Sequence, residues 1–238
     1  MQVPASSGPA GRLVAWLGGV AFVASLALFG WCYALRFPVV ATDADSVPAA
    51  LAWNFALFTA FALHHSVMAR TGAKHWLTRV VPAALERSVY VWLGSALFAL
   101  TCLWWRQIPG LLYELDVPWS AAGYAAQAAG LWLTLRSAGV IDVLELAGIR
   151  QAMGWPVKPR FKVIGPYHLV RHPIYLGWVL ITFGTPTMTA TTLAFAAIST
   201  AYLVVAIPFE ERSLVEVFGD EYRRYQQRVR WRMLPWLY

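Results

Sequence analysis

Formal charge is scarce in this 238-residue chain. Asp, Glu, Lys and Arg make up 13 % of it, against 59 % hydrophobic residues, whereas soluble domains devote about a quarter of their residues to charge. The shortage is concentrated in long stretches. Leu13–Leu35, Val47–Ala69, Ser88–Trp105 and Val117–Leu135 carry no formal charge, and neither does Pro173–Phe209, a run of 37 residues. One membrane-crossing helix needs about 20 apolar residues. Each of the first four stretches therefore suits one span, and the last suits a helical hairpin. Its turn falls at "GTPTMT" (184–189), where Pro186 cannot donate its amide and restricts Thr185 before it. Five such stretches exclude a water-soluble helical domain. Cysteine is nearly absent too: Cys32 and Cys102 both fall inside predicted spans, which excludes a disulfide framework. The chain also lacks internal repeats, low-complexity tracts and any separable basic domain, so its net charge of +7 does not point to nucleic acid.

What is present reads as an all-α, polytopic integral membrane protein. About six transmembrane helices are expected, including the helical hairpin at 173–209, together with amphipathic cytoplasmic helices. The N-terminal run is longer than a signal-peptide core and is read as a retained span. Apart from Arg36 and Arg106, the other seventeen Lys and Arg residues lie at Arg12, in 70–87, in 136–171 or from Arg212 onward. With six spans those regions share one face, which the positive-inside rule makes cytoplasmic, with attraction to anionic headgroups. Both termini are then cytoplasmic. Trp104, Trp105, Tyr113 and Trp119 around the 106–118 connection suit an interfacial aromatic belt. "SAGVIDVLELAGIRQAMG" (137–154) reads as a short amphipathic helix on the membrane surface, and "WPVKPRFKVIGPYHLV" after it as a basic, extended segment. The tail reads as two helical pieces, with Gly219 ending the first and Asp220 capping the second.

Two polar clusters bracket the hairpin. Arg171 and His172 stand at its entry in "GPYHLVRHPIYLG" (165–177), and Glu210 and Glu211 stand at its exit. If the hairpin returns to the membrane face it left, all four meet. Arginine then suits a carboxylate and glutamate an ammonium, which describes a pocket for a molecule bearing both signs. A plainer reading also fits: Arg171 marks the cytoplasmic side, the glutamates are solvated, and Pro173 merely starts a helix.

"GPYHLVRHPIYLG", the hairpin and "EERSLVEVFGDEYRRYQQRV" together resemble the C-terminal half of the isoprenylcysteine carboxyl methyltransferase superfamily, over about 165–229. "HSVMAR", "VVPAALERSVYVW", "VLELAGIRQ" and "TPTMT" extend the likeness over most of 58–232. There the chain is most similar to bacterial methanethiol S-methyltransferases and, more loosely, to NnrU-type membrane proteins. The resemblance implies a single membrane-embedded methyltransferase domain in a bacterial inner membrane. Its cofactor-binding half would be about 140–232 and its acceptor-side half about 47–135. It implies S-adenosyl-L-methionine as cofactor, a small thiol such as methanethiol as acceptor, dimethyl sulfide as product, and no obligate protein partner.

On that resemblance, Arg171 and His172 hold the methionine carboxylate, and Glu210 or Glu211 takes the ammonium or the ribose hydroxyls. Tyr167 and Tyr175 add hydrogen bonds and an aromatic face for the sulfonium, and Gly177 admits a close approach. A thiol reacts as thiolate, so His64, His65 and Arg87 at the ends of spans two and three are the acceptor-side candidates. Arg87 would favour the anion and one histidine would accept its proton. Three further readings stay open: a carboxylate or lipid acceptor, a nicotinamide-dependent membrane reductase, and a non-enzymatic NnrU-like role. A metal or haem site is disfavoured, because the five histidines show no ligand spacing.

Overall fold

The computed structural model describes residues 7–42, 46–68, 76–140, 142–155 and 161–238. They form two compact units, Met1–Ile108 with Asp142–Lys158, and Pro109–Ile141 with Pro159–Tyr238. In the first unit Ala147, Ile149 and Ala152 bury against Ala15 of the first helix, with Leu85, Leu144 and Met153 around them.

The first unit is built on three long helices: α1 (Pro9–Trp31), α2 (Val47–Met68) and α3 (Glu86–Trp104). α1 begins with proline at its first position, where the missing N–H costs nothing. It widens at its end into a π-type turn, Cys32–Arg36, with Phe37 N–H reaching the carbonyl of Cys32. α3 is the common neighbour. Trp92 donates to the carbonyl of Val14 on α1, and Phe98 meets Phe29 of α1 and Phe61 of α2 at ring distances of 5.7 and 5.0 Å.

The 137–154 segment is not one amphipathic helix. It breaks into α5 (Val143–Leu146) and α6 (Ile149–Met153) around Gly148, whose φ is +75°. A side chain there would meet the backbone nitrogen of Ser88 at 2.7 Å, so the break lets this segment close onto the start of α3. Asp142 caps α5 through the amides of Leu144 and Glu145 and pairs with Arg150.

The second unit holds α4 (Trp119–Ala138), α7 (Pro173–Phe183), α8 (Ala190–Phe218) and α9 (Asp220–Arg228). α4 and α7 run antiparallel: Gly123 faces Gly184 and Pro186, while Gly130 faces Gly177. "GTPTMT" is not a tight turn. Its Thr187–Thr189 forms a strand, β2, antiparallel to β1 (Leu111–Glu114), with Leu111 opposite Thr189 and Glu114 opposite Thr187. The two connections expected on one membrane face therefore pair with each other, an arrangement the all-α expectation lacked. The hairpin is consequently lopsided, with an 11-residue arm and a 29-residue arm. The short arm rises about 16 Å, and six extended residues add at most ~20 Å. That matches the ~31 Å α8 climbs from Ala190 to Glu211, so both arms end together.

Among the described residues, four helices have the length and composition to cross a membrane: Pro9–Arg36, Val47–Met68, Ala83–Trp104 and Ala190–Phe218. Six spans were expected. α4 carries Ser, Gln, Thr and many small residues in place of large apolar ones, and α7 is too short to cross alone. The outward faces are nonetheless apolar. Leu13, Val20 and Val23 of α1 are 59, 62 and 63 % exposed, a surface that hydrocarbon accepts and water rejects. This is an integral membrane protein.

At the tail, Gly219 (φ +57°) ends α8 and itself caps α9. The Asp220 carboxylate accepts from Arg223 instead of capping. Tyr222, Tyr225 and Val229 bury against Leu214, Val215 and Phe218, while Arg223, Arg224 and Arg228 face outward, as the spacing predicts.

Candidate active site

The second unit brings the two ends of the hairpin together. Arg171 Nε donates to Glu211 Oε1 at 2.6 Å and Nη2 to Oε2 at 3.3 Å. His172 Nε2 lies 3.2 Å from Glu211 Oε1, and Gln226 donates to Oε2 at 3.1 Å. Glu211 is 4 % exposed and Arg171 8 %. A carboxylate so buried is tolerated only when paired and hydrogen-bonded, and here it is.

Arg171 also fastens the tail. Its Nη1 donates to the carbonyls of Val229 and Arg230 at 2.7 and 2.8 Å, which follow the last turn of α9. The backbone amides of Arg171 and His172 donate to Trp231 and Arg232. Among the described residues, four of the five guanidinium N–H groups are thereby used, leaving one on Nη2. Pro208 inside α8 cannot bond the carbonyl of Val204, and the Tyr238 hydroxyl reaches that oxygen at 3.4 Å.

Glu210 differs from its neighbour. It is exposed, accepts from Tyr175 Oη at 2.7 Å, and lies 3.6 Å from His172 Nδ1. His172 and Tyr175 stack at 5.3 Å with 11° between planes. Burial, and after it the negative charge of Glu210, pushes the Tyr167 phenol up to about 12. It therefore remains an O–H donor at neutral pH. The carbonyl of Tyr167 accepts from Tyr225. Tyr222 is 2 % exposed, and its hydroxyl is a buried donor without a partner among the described residues. Nearby, the end of α4 and Ile164–Pro166 enclose an open cleft of about 240 Å³ with Arg136 on its wall.

Of the residues singled out for the cofactor, Tyr167, Arg171, His172, Tyr175, Glu210 and Glu211 converge here. Gly177 faces α4. A side chain there would sit 2.3 Å from Thr134 Oγ1 and 2.7 Å from the Gly130 carbonyl, so the close approach it permits is helix to helix. The sequence reading did not single out Gln226 or Arg232 (3.5 Å from Glu211). The tyrosine face of the tail was visible from its spacing, but the return of the chain after α9 onto Arg171 was not.

In the first unit, His64 and His65 sit at the end of α2 beside Tyr90 of α3. Tyr90 Oη lies 2.8 Å from His65 Nδ1, and the His64 ring stacks on Tyr90 at 5.5 Å and 16°. Arg87 donates through Nε to the carbonyl of Leu146 at 3.3 Å, which ties it to the end of α5. Among the described residues, no three His, Cys, Asp or Glu side chains group as metal ligands.

Comparison with known proteins now decides the family. The chain is 38 % identical to methanethiol S-methyltransferase 1 of Bradyrhizobium diazoefficiens, over 94 % of this chain and 83 % of that protein. It is 39 % identical to methanethiol S-methyltransferase of Mycobacterium tuberculosis, over 92 % of this chain and 94 % of that one. It belongs to the methanethiol S-methyltransferase family. Members of this family are methyltransferases, and this chain is one. The phospholipid methyltransferase family model matches residues 119–221, a range that contains the whole hairpin and the Arg171–Glu211 cluster. Nurim of Rattus norvegicus is more distantly similar, 25 % identical over 83 % of this chain and 78 % of its own length. No solved structure matches. A family methyltransferase requires a methyl donor; among the described residues the carboxylate of Glu210 is exposed and the Tyr222 hydroxyl has no partner.

Proposed function

We propose that this protein transfers a methyl group from S-adenosylmethionine to methanethiol, releasing dimethyl sulfide. The observation that carries the cofactor half is the division between Glu211, buried and fully paired, and Glu210, exposed beside Tyr175 and His172. Arg171 and Glu211 form the frame. Glu210 takes the ammonium, the remaining Nη2 hydrogen of Arg171 takes the carboxylate, and His172, Tyr175 and Tyr167 line the approach. S-adenosylmethionine supplies an electrophilic methyl on a sulfonium. The residues' own work is positioning and exclusion of water, which can contribute up to about 7–11 kcal/mol toward the barrier. On the acceptor side, His64, His65 and Arg87 meet the thiol, and one histidine takes its proton.

The membrane arrangement belongs to the same proposal. α4 completes a fifth crossing and α7 with its extended continuation a sixth, which puts both termini on the cytoplasmic side of a bacterial inner membrane, where the basic residues gather. The cofactor then enters from the cytosol and the apolar thiol from the bilayer. Titration of the purified protein with S-adenosylhomocysteine, together with a headspace assay for dimethyl sulfide from cells given methanethiol, tests the reading. Micromolar binding and production of dimethyl sulfide are expected. Binding without dimethyl sulfide removes the thiol acceptor, and no binding removes the cofactor.

A further inference from the structure

His64 and His65 are neighbours in sequence, yet their surroundings differ. His64 packs flat on Tyr90, and both of its ring nitrogens are shielded without a partner among the described residues. A proton placed on that ring meets no acceptor among the described residues. His65 is exposed, and its ring is oriented by a hydroxyl on another helix: Tyr90 Oη lies 2.8 Å from Nδ1 and 3.5 Å from the His65 carbonyl oxygen. A candidate base whose second nitrogen is fixed by a third group follows the general logic of an activated acid–base pair.

The two distances matter together. A phenolic hydroxyl has one hydrogen and can also accept. In the neutral tautomer with its hydrogen on Nδ1, Nδ1–H donates to Tyr90 Oη and the basic lone pair is left on Nε2. The hydroxyl must then send its own hydrogen elsewhere. The His65 carbonyl stands within reach for that purpose. The same arrangement serves the neutral and the protonated imidazole without moving either ring.

Building on the function proposed above, we infer that Tyr90 is a positioning residue that lets His65 take the proton of the acceptor thiol. The thiol S–H bond breaks, its electron pair stays on sulfur as thiolate, and the proton goes to Nε2 of His65. Nδ1–H donates to Tyr90 Oη before and after the transfer, and Tyr90 Oη–H is directed at the His65 carbonyl. The proton leaves to water from the exposed ring, so no other reactant is consumed.

The test uses the full-length protein in lipid nanodiscs with ¹⁵N-labelled histidine. Without cofactor, ring-nitrogen signals assigned to His65 by their loss in His65→Gln should change along the pH titration in Tyr90→Phe, while those of His64 stay put. With cofactor and methanethiol, His65→Gln should lower kcat/KM by roughly 10²–10⁴, the usual worth of a general base. Tyr90→Phe should lower it roughly tenfold and displace the acid limb of the pH–kcat/KM profile in parallel with the His65 titration. An unmoved His65 titration in Tyr90→Phe overturns the inference, and so does a pH profile that ignores a titration that has moved. In either case, retained S-adenosylhomocysteine binding and dimethyl sulfide production by the wild type leave the proposed function standing.

Discussion

Two arginines close two helix ends in this protein, and they do so differently. In the first unit, Arg36 donates through Nη1 to the carbonyls of Cys102 and Leu103 at 2.8 Å and through Nη2 to Trp105 at 3.2 Å. It completes the end of α3, whose last carbonyls lack partners inside the helix. Arg171 in the second unit does the same for the carbonyls after α9, and in addition grips Glu211. Among the described residues Arg36 meets main chain and the Cys32 thiol but no carboxylate, so its role ends with the fold. Arg171 meets a carboxylate that neighbours a second, exposed one, and the proposed cofactor site rests on that second carboxylate. An arginine at a helix end is thus no sign of a site by itself. The acid pair beside it is.

The sharpest way to break this comparison is Glu211→Ala. It leaves the Arg171 charge buried and unpaired, which should cost about 3–5 kcal/mol and abolish S-adenosylhomocysteine binding. Thermal unfolding in detergent and titration check both. A variant that unfolds like the wild type would mean the pair frames nothing. Arg36→Met should cost about 1.5–3 kcal/mol, the worth of hydrogen bonds from a charged group, yet leave S-adenosylhomocysteine affinity as it was. Weakened binding there would erase the distinction between the two arginines.

Glu210→Gln turns the comparison around. Stability should stay within about 0.5 kcal/mol, while S-adenosylhomocysteine affinity drops roughly 10- to 100-fold, equivalent to losing about 1.5–3 kcal/mol from one charged contact. Unchanged affinity would move the ammonium site elsewhere. The smallest effect is expected from Tyr238→Phe. The long bond to the carbonyl that Pro208 leaves free and the bond accepted from Arg232 Nη1 are lost, together about 0.5–1.5 kcal/mol, visible as a slight fall in unfolding temperature with binding intact.

Much of this was legible in the residues. Charge-free stretches announced membrane helices because hydrocarbon tolerates no unpaired charge, and Arg171, His172, Glu210 and Glu211 announced a cluster because they flank one hairpin. The lopsided arms were not legible, since composition does not distinguish an apolar helix from an apolar strand. The pairing of Thr187–Thr189 with Leu111–Glu114 depends on a segment some 75 residues earlier in the chain. Gly177 suggested room for a ligand, but a glycine's sequence says only that space is needed, and Thr134 and Gly130 fill it. Asp220 has a good capping side chain, yet the positive φ of Gly219 put the cap one residue earlier.

The sequence alone determined that the chain enters a membrane, that its basic residues gather in a few connections, and that residues of both signs stand at the mouth of one hairpin. These follow from local composition and from the cost of charge in hydrocarbon. Only the tertiary structure decided which glutamate is framework and which is open, and which histidine has a hydroxyl to steady it. Those distinctions depend on burial and on partners such as Gln226, Val229 and Tyr90. Distance along the chain carries no information about either.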